Sequence, residues 1–129
     1  YKIVQLRQVV FIVEQDCPYL DVDGEDFVCF HLCGYKNNEL VAYVRVFPPN
    51  KLHKEVVIGR VITAKSIRGN GWGRPLMNKA EEFAIMEFGQ HGFYLGAQAH
   101  LETFYGSLGY KRCGPNYDED GIPHLPMKK

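Results

Sequence analysis

The residues best suited to chemistry stand in one run, Arg68-Gly69-Asn70-Gly71-Trp72-Gly73, between a β-branched segment, Val56 to Thr63, and a helical pattern that begins near Trp72. A glycine-rich turn feeding straight into a helix gathers unpartnered N–H groups and the positive end of the helix dipole at one point, which suits a phosphate or pyrophosphate. Glycine lets the backbone approach such a ligand closely. The spacing excludes two common nucleotide loops. A Walker site needs Lys and then Ser or Thr after the last glycine, whereas Gly73 is followed by Arg74-Pro75. A dinucleotide fingerprint needs an acidic residue about 20 positions on, at a strand end; Glu87 instead falls inside the helical pattern.

Other reactive side chains are scattered. Cys17, Cys29, Cys33 and Cys113 form no C-x-x-C pair. Cys29, His31 and Cys33 share one face of a strand, but fixed strand spacing rarely supplies a tetrahedral site, so the expectation is reduced, packed thiols and no metal. Glu14, His31, His100 and His124 are the candidate proton acceptors by chemistry, with His124 following the acidic run Asp118-Glu119-Asp120. The segment from Glu14 to Asp26 carries Glu14, Asp16, Asp21, Asp23, Glu25 and Asp26 and no Lys or Arg. It reads as a local excess of negative charge.

Composition bounds the class. A chain of 129 residues, 46% hydrophobic, suffices for one core and one domain, residues 1–129. Fifteen basic and fifteen acidic residues balance, so no global field favours nucleic acid. No apolar run reaches membrane-spanning length, and Tyr1 to Arg7 lacks the uninterrupted apolar core of a cleavable signal. A cytoplasmic protein is expected.

The elements that must position these residues follow from periodicity. Leu6, Val9, Val10 and Val13 form a helical stripe, and a polar stretch from Gln15 to Asp26 interrupts it. Val28 to Tyr35 and Leu40 to Phe47 read as strands joined through Asn37-Asn38, a pair suited to positive φ. Glu55 to Thr63 reads as a third, buried strand. Leu76, Ala80, Phe83 and Ala84 recur at helical spacing with Lys79, Glu81 and Glu82 on the other side, and Pro75 is tolerable in the first turn. Phe93 to Ala97 is a strand, a short helix stops at Gly109, another strand follows, and a polar loop around Asp118 to Gly121 leads to a last short strand, His124 to Lys128.

Several strings resemble one family. Arg68, Gly71 and Gly73 match the Arg-x-x-Gly-x-Gly pyrophosphate loop of the GNAT superfamily of N-acetyltransferases, and Phe104-Tyr105-x-x-Leu108-Gly109-Tyr110 resembles its second motif. Val13-Glu14-Gln15-x-Cys17-Pro18-Tyr19, Tyr94 to His100 and Asp118 to His124 are similar to the ElaA-like branch. The resemblance covers nearly the whole chain. It implies a mixed α/β fold: a central, mostly antiparallel sheet with a splayed parallel pair and flanking helices.

It further implies an acetyl-CoA cosubstrate, with no metal. Val61, Ile62 and Thr63 would pair with the pantetheine arm, Arg68, Gly69, Asn70, Gly71, Trp72, Gly73 and Arg74 would hold the pyrophosphate, and Gln98 would contact the arm. Tyr105 would stand near the thioester sulfur as general acid, the Val61 N–H would stabilise the oxyanion, and His124 or Glu14 would serve as base. The implied reaction is direct attack by a primary amine, in a ternary complex. The acceptor would be a small molecule or peptide, cationic if the acidic loop overhangs the groove, with no nucleic acid or membrane partner; a homodimer is left open. A non-catalytic acyl-CoA sensor and a transferase of longer acyl chains are the alternatives. The family normally begins with a strand before its first helix, and here the chain starts close to that helix, so that strand is expected to be missing.

Overall fold

A computed structural model describes residues 1–129. The chain opens on α1, Lys2–Arg7, which widens into a π-helical stretch, Gln8–Glu14, where the Cys17 N–H reaches back five residues to the Ile12 carbonyl at 3.1 Å. The wider turn re-phases the side chains. Of the expected stripe only Val10 is buried, while Val9 and Val13 face solvent.

β1, Phe30–Lys36, and β2, Glu39–Phe47, form a hairpin closed by Asn37 and Asn38, at φ of 50° and 63°. Both positive φ values belong to a turn whose twist matches its strands. β3, Val56–Thr63, pairs antiparallel with β2, and α2, Gly73–Phe88, follows. Then come β4, Phe93–Gln98, a single turn, α3, Glu102–Ser107, and the two-residue β5, Lys111–Arg112. β6, Tyr117–Glu119, and β7, Ile122–Lys128, end the chain. The sheet order is β1-β2-β3-β4-β7-β5, with β6 also on β7, and only the β3–β4 pair is parallel.

Helix α2 lays Leu76, Met77, Ala80 and Ala84 on one sheet face against Val44, Val46 and Ile58, while Val10 covers Tyr43 and Ile62 on the other. β-branched strand residues and a small-residue helix face let these layers approach closely. Two expectations change. Residues 118–121 are the tip of a hairpin, because Asp120 and Gly121, at φ of 53° and 83°, make a tight turn that lets β7 begin at Ile122. Glu81 is buried, because Lys129 from the last strand's end donates to both its oxygens, at 2.7 and 3.0 Å, and the Tyr110 hydroxyl donates at 3.4 Å. No helix is long and apolar enough to cross a membrane.

Candidate active site

Strands β3 and β4 pair only at Val56↔Phe93 and Val57↔Tyr94, and then part. Beyond that point the β3 edge has no strand beside it, so its peptide groups are open to a ligand that can supply the missing bonds. The separation coincides with a bulge on the other edge: Tyr43 pairs with Ile62 and Arg45 with Gly59, so Arg60 and Val61 together oppose Val44. Arg60 is left at φ 51°, a conformation that costs an L-residue about 1–2 kcal/mol. Its side chain is tied down in return, with Nε donating to Asp21 Oδ1 at 2.8 Å and a terminal nitrogen to the Asp21 carbonyl at 3.1 Å.

The gap opens into a cleft of about 880 Å³ that Val61, Ile62, Thr63, Gln98, Tyr105 and His124 all line. Arg68, which begins the glycine turn, lines it as well. Gly69 and Gly71 have φ of 83° and 75°, and a β-carbon at either would meet nothing within 4 Å. The amides of Gly69, Gly71 and Trp72 donate no hydrogen bond within the protein, and no side chain caps α2. Open space, free donors and the helix dipole therefore coincide, as a pyrophosphate requires.

Other members of the run have different parts. The Asn70 amide donates to the Ile67 carbonyl, Trp72 packs on the core beside Gly34, and Gly73 is small because a β-carbon would stand 3.1 Å from the Phe104 ring. Arg74 reaches Ser107 Oγ at 2.8 Å, and Arg68 holds the Thr63 carbonyl at 2.9 Å and Glu14 at 2.7 Å. Glu14, expected as a base, lines the cleft and is ion-paired with Arg68 there.

Tyr105 enters the inner end of the cleft from α3, packed against Phe104 and Tyr110. Burial pushes its phenol up to about 12, so the proton stays on throughout the neutral range. His124 lies on β7 opposite Gln98; Nδ1 donates to the Ile122 carbonyl at 2.7 Å, and Nε2 faces Glu119 Oε2 at 3.1 Å. The Glu119–His124 pair was not legible in sequence. Only the hairpin turn at Asp120-Gly121, itself a recognisable signal, brings the two side chains together. Gln98 donates to Gln15 at 3.3 Å, and the Cys17 thiol donates to the Asp120 carbonyl at 3.1 Å, so the N-terminal loop is fastened to both sides of the cleft. Of the other candidates, His100 lines the cleft, whereas His31 is held at the sheet edge by the Tyr43 hydroxyl and the Asp26 carbonyl. Cys33 packs toward Val10, Tyr43 and Ile62, and His31, with Cys29 at 3.7 Å, bonds the same Tyr43, so the three residues keep the expected face.

The acidic segment changes meaning. Arg7, wholly buried, donates to Asp21 at 2.8 Å and Asp26 at 2.7 Å. Arg45 grips Asp23 with two bonds, at 2.8 and 2.9 Å, and Asp26 at 2.9 Å, its remaining Nε buried and without partner over the Phe47 ring. Arg45 hydrogen bonds hold the Asp23 carboxyl far below the usual range. Burial pushes Asp26 up, but the bonds from Arg7 and Arg45 outweigh it and leave Asp26 lowered. The segment is therefore much less negative than its sequence reads: α1, β2 and β3 each insert a guanidinium that pairs Asp21, Asp23 and Asp26, and Arg68 takes Glu14, leaving Asp16 and Glu25 without a cation. The charge argument for a cationic acceptor loses most of its carriers.

Comparison with known proteins agrees with this geometry. Residues 20–129 match the family model described as an acetyltransferase (GNAT) domain. Protein ElaA of Escherichia coli K12 is 46% identical over 131 residues, spanning 100% of this chain and 86% of ElaA. The crystal structure of an acyl-CoA N-acyltransferase from Pseudomonas aeruginosa superimposes with a TM-score of 0.95 at 42% identity, covering 100% of this chain and 88% of that one. An aminoglycoside 6'-N-acetyltransferase complexed with coenzyme A shares the fold at a TM-score of 0.77 and 20% identity, over 99% and 88% of the two chains. A parted parallel strand pair, a bulge beside it and an uncapped glycine-lined helix end thus meet in a chain that belongs to the GNAT acetyltransferase family, in the branch that includes ElaA.

Proposed function

We propose that this acyltransferase moves the acetyl group of acetyl-CoA to a primary amine by direct attack in a ternary complex. The observation that carries the reading is the open β3 edge and its bulge, which line one cleft together with Arg68, the residue that begins the turn bearing the free amides of Gly69, Gly71 and Trp72. The loop amides bind the pyrophosphate, and β3 peptide groups from Val61 to Thr63 bond the pantetheine amides as an added strand would. No metal takes part in this reading.

A free alkylammonium has a pKa of about 10.4, so near pH 7.4 about one molecule in a thousand is nucleophilic, a deficit of roughly 4 kcal/mol. Glu119, half-exposed and free to turn, receives the ammonium, and its proton passes to Nε2 of His124, whose Nδ1–H is fixed on the Ile122 carbonyl. The amine nitrogen bonds the thioester carbon, and the Val61 N–H stabilises the oxyanion. The C–S bond then breaks as the second proton leaves the nitrogen, releasing the N-acetyl product and a thiolate; that second proton replaces the one the phenol gives up. Full proton transfer to a thiolate of ordinary pKa, about 8.5, from a phenol at about 12 is uphill by roughly 5 kcal/mol. Tyr105 therefore acts by donating a hydrogen bond as charge builds on sulfur, and parts with its proton only as the bond breaks.

The test is thiol release at saturating acetyl-CoA with a panel of primary amines, in wild type and Tyr105→Phe. The variant should lose roughly 10²-fold in turnover with acetyl-CoA affinity unchanged. Binding of acetyl-CoA without turnover of any amine would favour the sensor alternative.

A further inference from the structure

We propose, resting on the acetyl-transfer reading, that the acceptor is a singly charged amine carried on an apolar body rather than a polycation. Two glycines form the floor where the strands part. Gly59 and Gly96 stand two residues beyond the last pair, Val57↔Tyr94, and a β-carbon on Gly59 would meet nothing within 4 Å. The Tyr117 hydroxyl already occupies the space over Gly96, so the room for a substrate body lies over Gly59.

The walls come from three segments far apart in sequence. Leu20, 88% exposed, lies in the loop after the π-helical stretch, Leu52, 48% exposed, in the β2–β3 connection, and Tyr117, 40% exposed, on β6; all three line the cleft. One exposed leucine means little, but apolar side chains from three separate segments around one opening describe a surface for an apolar ligand.

Charge sets the rest. Inside the cleft Asp23 is taken by Arg45 and Arg60, and Glu14 by Arg68. Glu119, half-exposed with His124 as its neighbour, and Asp120 at the hairpin tip remain for an ammonium at the reacting end. Further along the acceptor, Asp23 is already engaged by Arg45 and Arg60, so a second or third ammonium would be desolvated there with no free carboxylate to pair it. An apolar body meets no such penalty. The transfer stays balanced: the C–N bond forms, the C–S bond breaks, the first amine proton goes to the Glu119–His124 pair, the thiolate takes the phenol proton and the second amine proton restores the phenol, with no change of oxidation state.

The experiment compares kcat/KM, by thiol release at saturating acetyl-CoA, for 2-phenylethylamine and n-hexylamine against spermidine and kanamycin, in wild type, Leu52→Ser and Leu20→Ser. The two apolar amines should lead by at least about tenfold, and each leucine variant should raise their KM by roughly tenfold while leaving the KM of spermidine unmoved. Calorimetry with acetyl-CoA alone reports separately on the underlying reading. No binding removes both. Binding with spermidine or kanamycin preferred, with neither apolar amine turned over, or with an unchanged ranking in both leucine variants removes the apolar acceptor and leaves acetyl-CoA recognition standing.

Discussion

Replacing Arg7 by Met tests whether the buried guanidinium network is what holds the cleft loop in place. Arg7 donates to Asp21 through Nε, to Asp26 through one terminal nitrogen and to the Asp21 carbonyl, at 2.9 Å, through the other. Met fills most of the volume, so the change removes charge and hydrogen bonds rather than packing. Breaking a buried pair by removing one partner costs about 3–5 kcal/mol, because the remaining charge is left uncompensated. Here Asp21 keeps Arg60 and the Tyr19 hydroxyl, and Asp26 keeps Arg45, which places the loss at the lower end, about 3 kcal/mol. At about 2.1 cal/mol/K per residue, 129 residues give an unfolding entropy of about 0.27 kcal/mol/K, so Tm should fall by roughly 11 °C. The sign with pH follows from Asp26. Its folded pKa is depressed, so its contribution is complete above the unfolded value of about 3.9 and is lost as pH falls through the folded value. Thermal unfolding at pH 7 and urea unfolding at pH 7, 5 and 3.5 should show a constant gap between wild type and variant down to about pH 4, narrowing below it. A Tm shift under about 3 °C, or a gap that widens on acidification, would refute the network as the loop's anchor.

Arg60→Gly removes the positive-φ strain, about 1–2 kcal/mol, together with a mostly buried ion pair to Asp21 whose loss costs about 3 kcal/mol, so Tm should fall by several degrees, less than in Arg7→Met. Turnover should fall roughly tenfold with the acetyl-CoA Kd unchanged, because the bulge loses its tether; unchanged turnover would show that the tether positions nothing. Gly71→Val obstructs the open space over the free loop amides and should weaken acetyl-CoA about tenfold or more, or 1.4 kcal/mol, by calorimetry. Gly73→Ala, pressed on Phe104, should lower stability instead; equal loss of affinity in both would mean the open space at Gly71 has no special role. Gly96→Ala would drive Tyr117 off its resting place over β4, and acceptor KM, rather than that for acetyl-CoA, should report it.

Local chemistry determined much of this molecule. The glycine turn, the strand before it, the helix after it and the Asn37-Asn38 hairpin are written in contiguous residues whose φ preferences and periodicity act over a few positions, and all lie where the sequence puts them. The family strings are contiguous too. Tertiary structure decided the properties that belong to pairs of distant segments. The β3 bulge at Arg60 and Val61 is a mismatch of register, which neither strand carries alone. The run of acids from Asp21 to Asp26 looked like bare negative charge because its partners Arg7, Arg45 and Arg60 stand on three other elements, and no count over a window can pair them. Glu81, on the polar side of a helical pattern, is buried because Lys129 arrives from the far end of the chain. Glu14 goes to Arg68 and Glu119 to His124 for the same reason: a carboxylate's role depends on which cation or ring the fold sets beside it. Sequence thus located the glycine turn, whose features are local, and left the other end of the cleft, where distant loops converge, to be read from the structure.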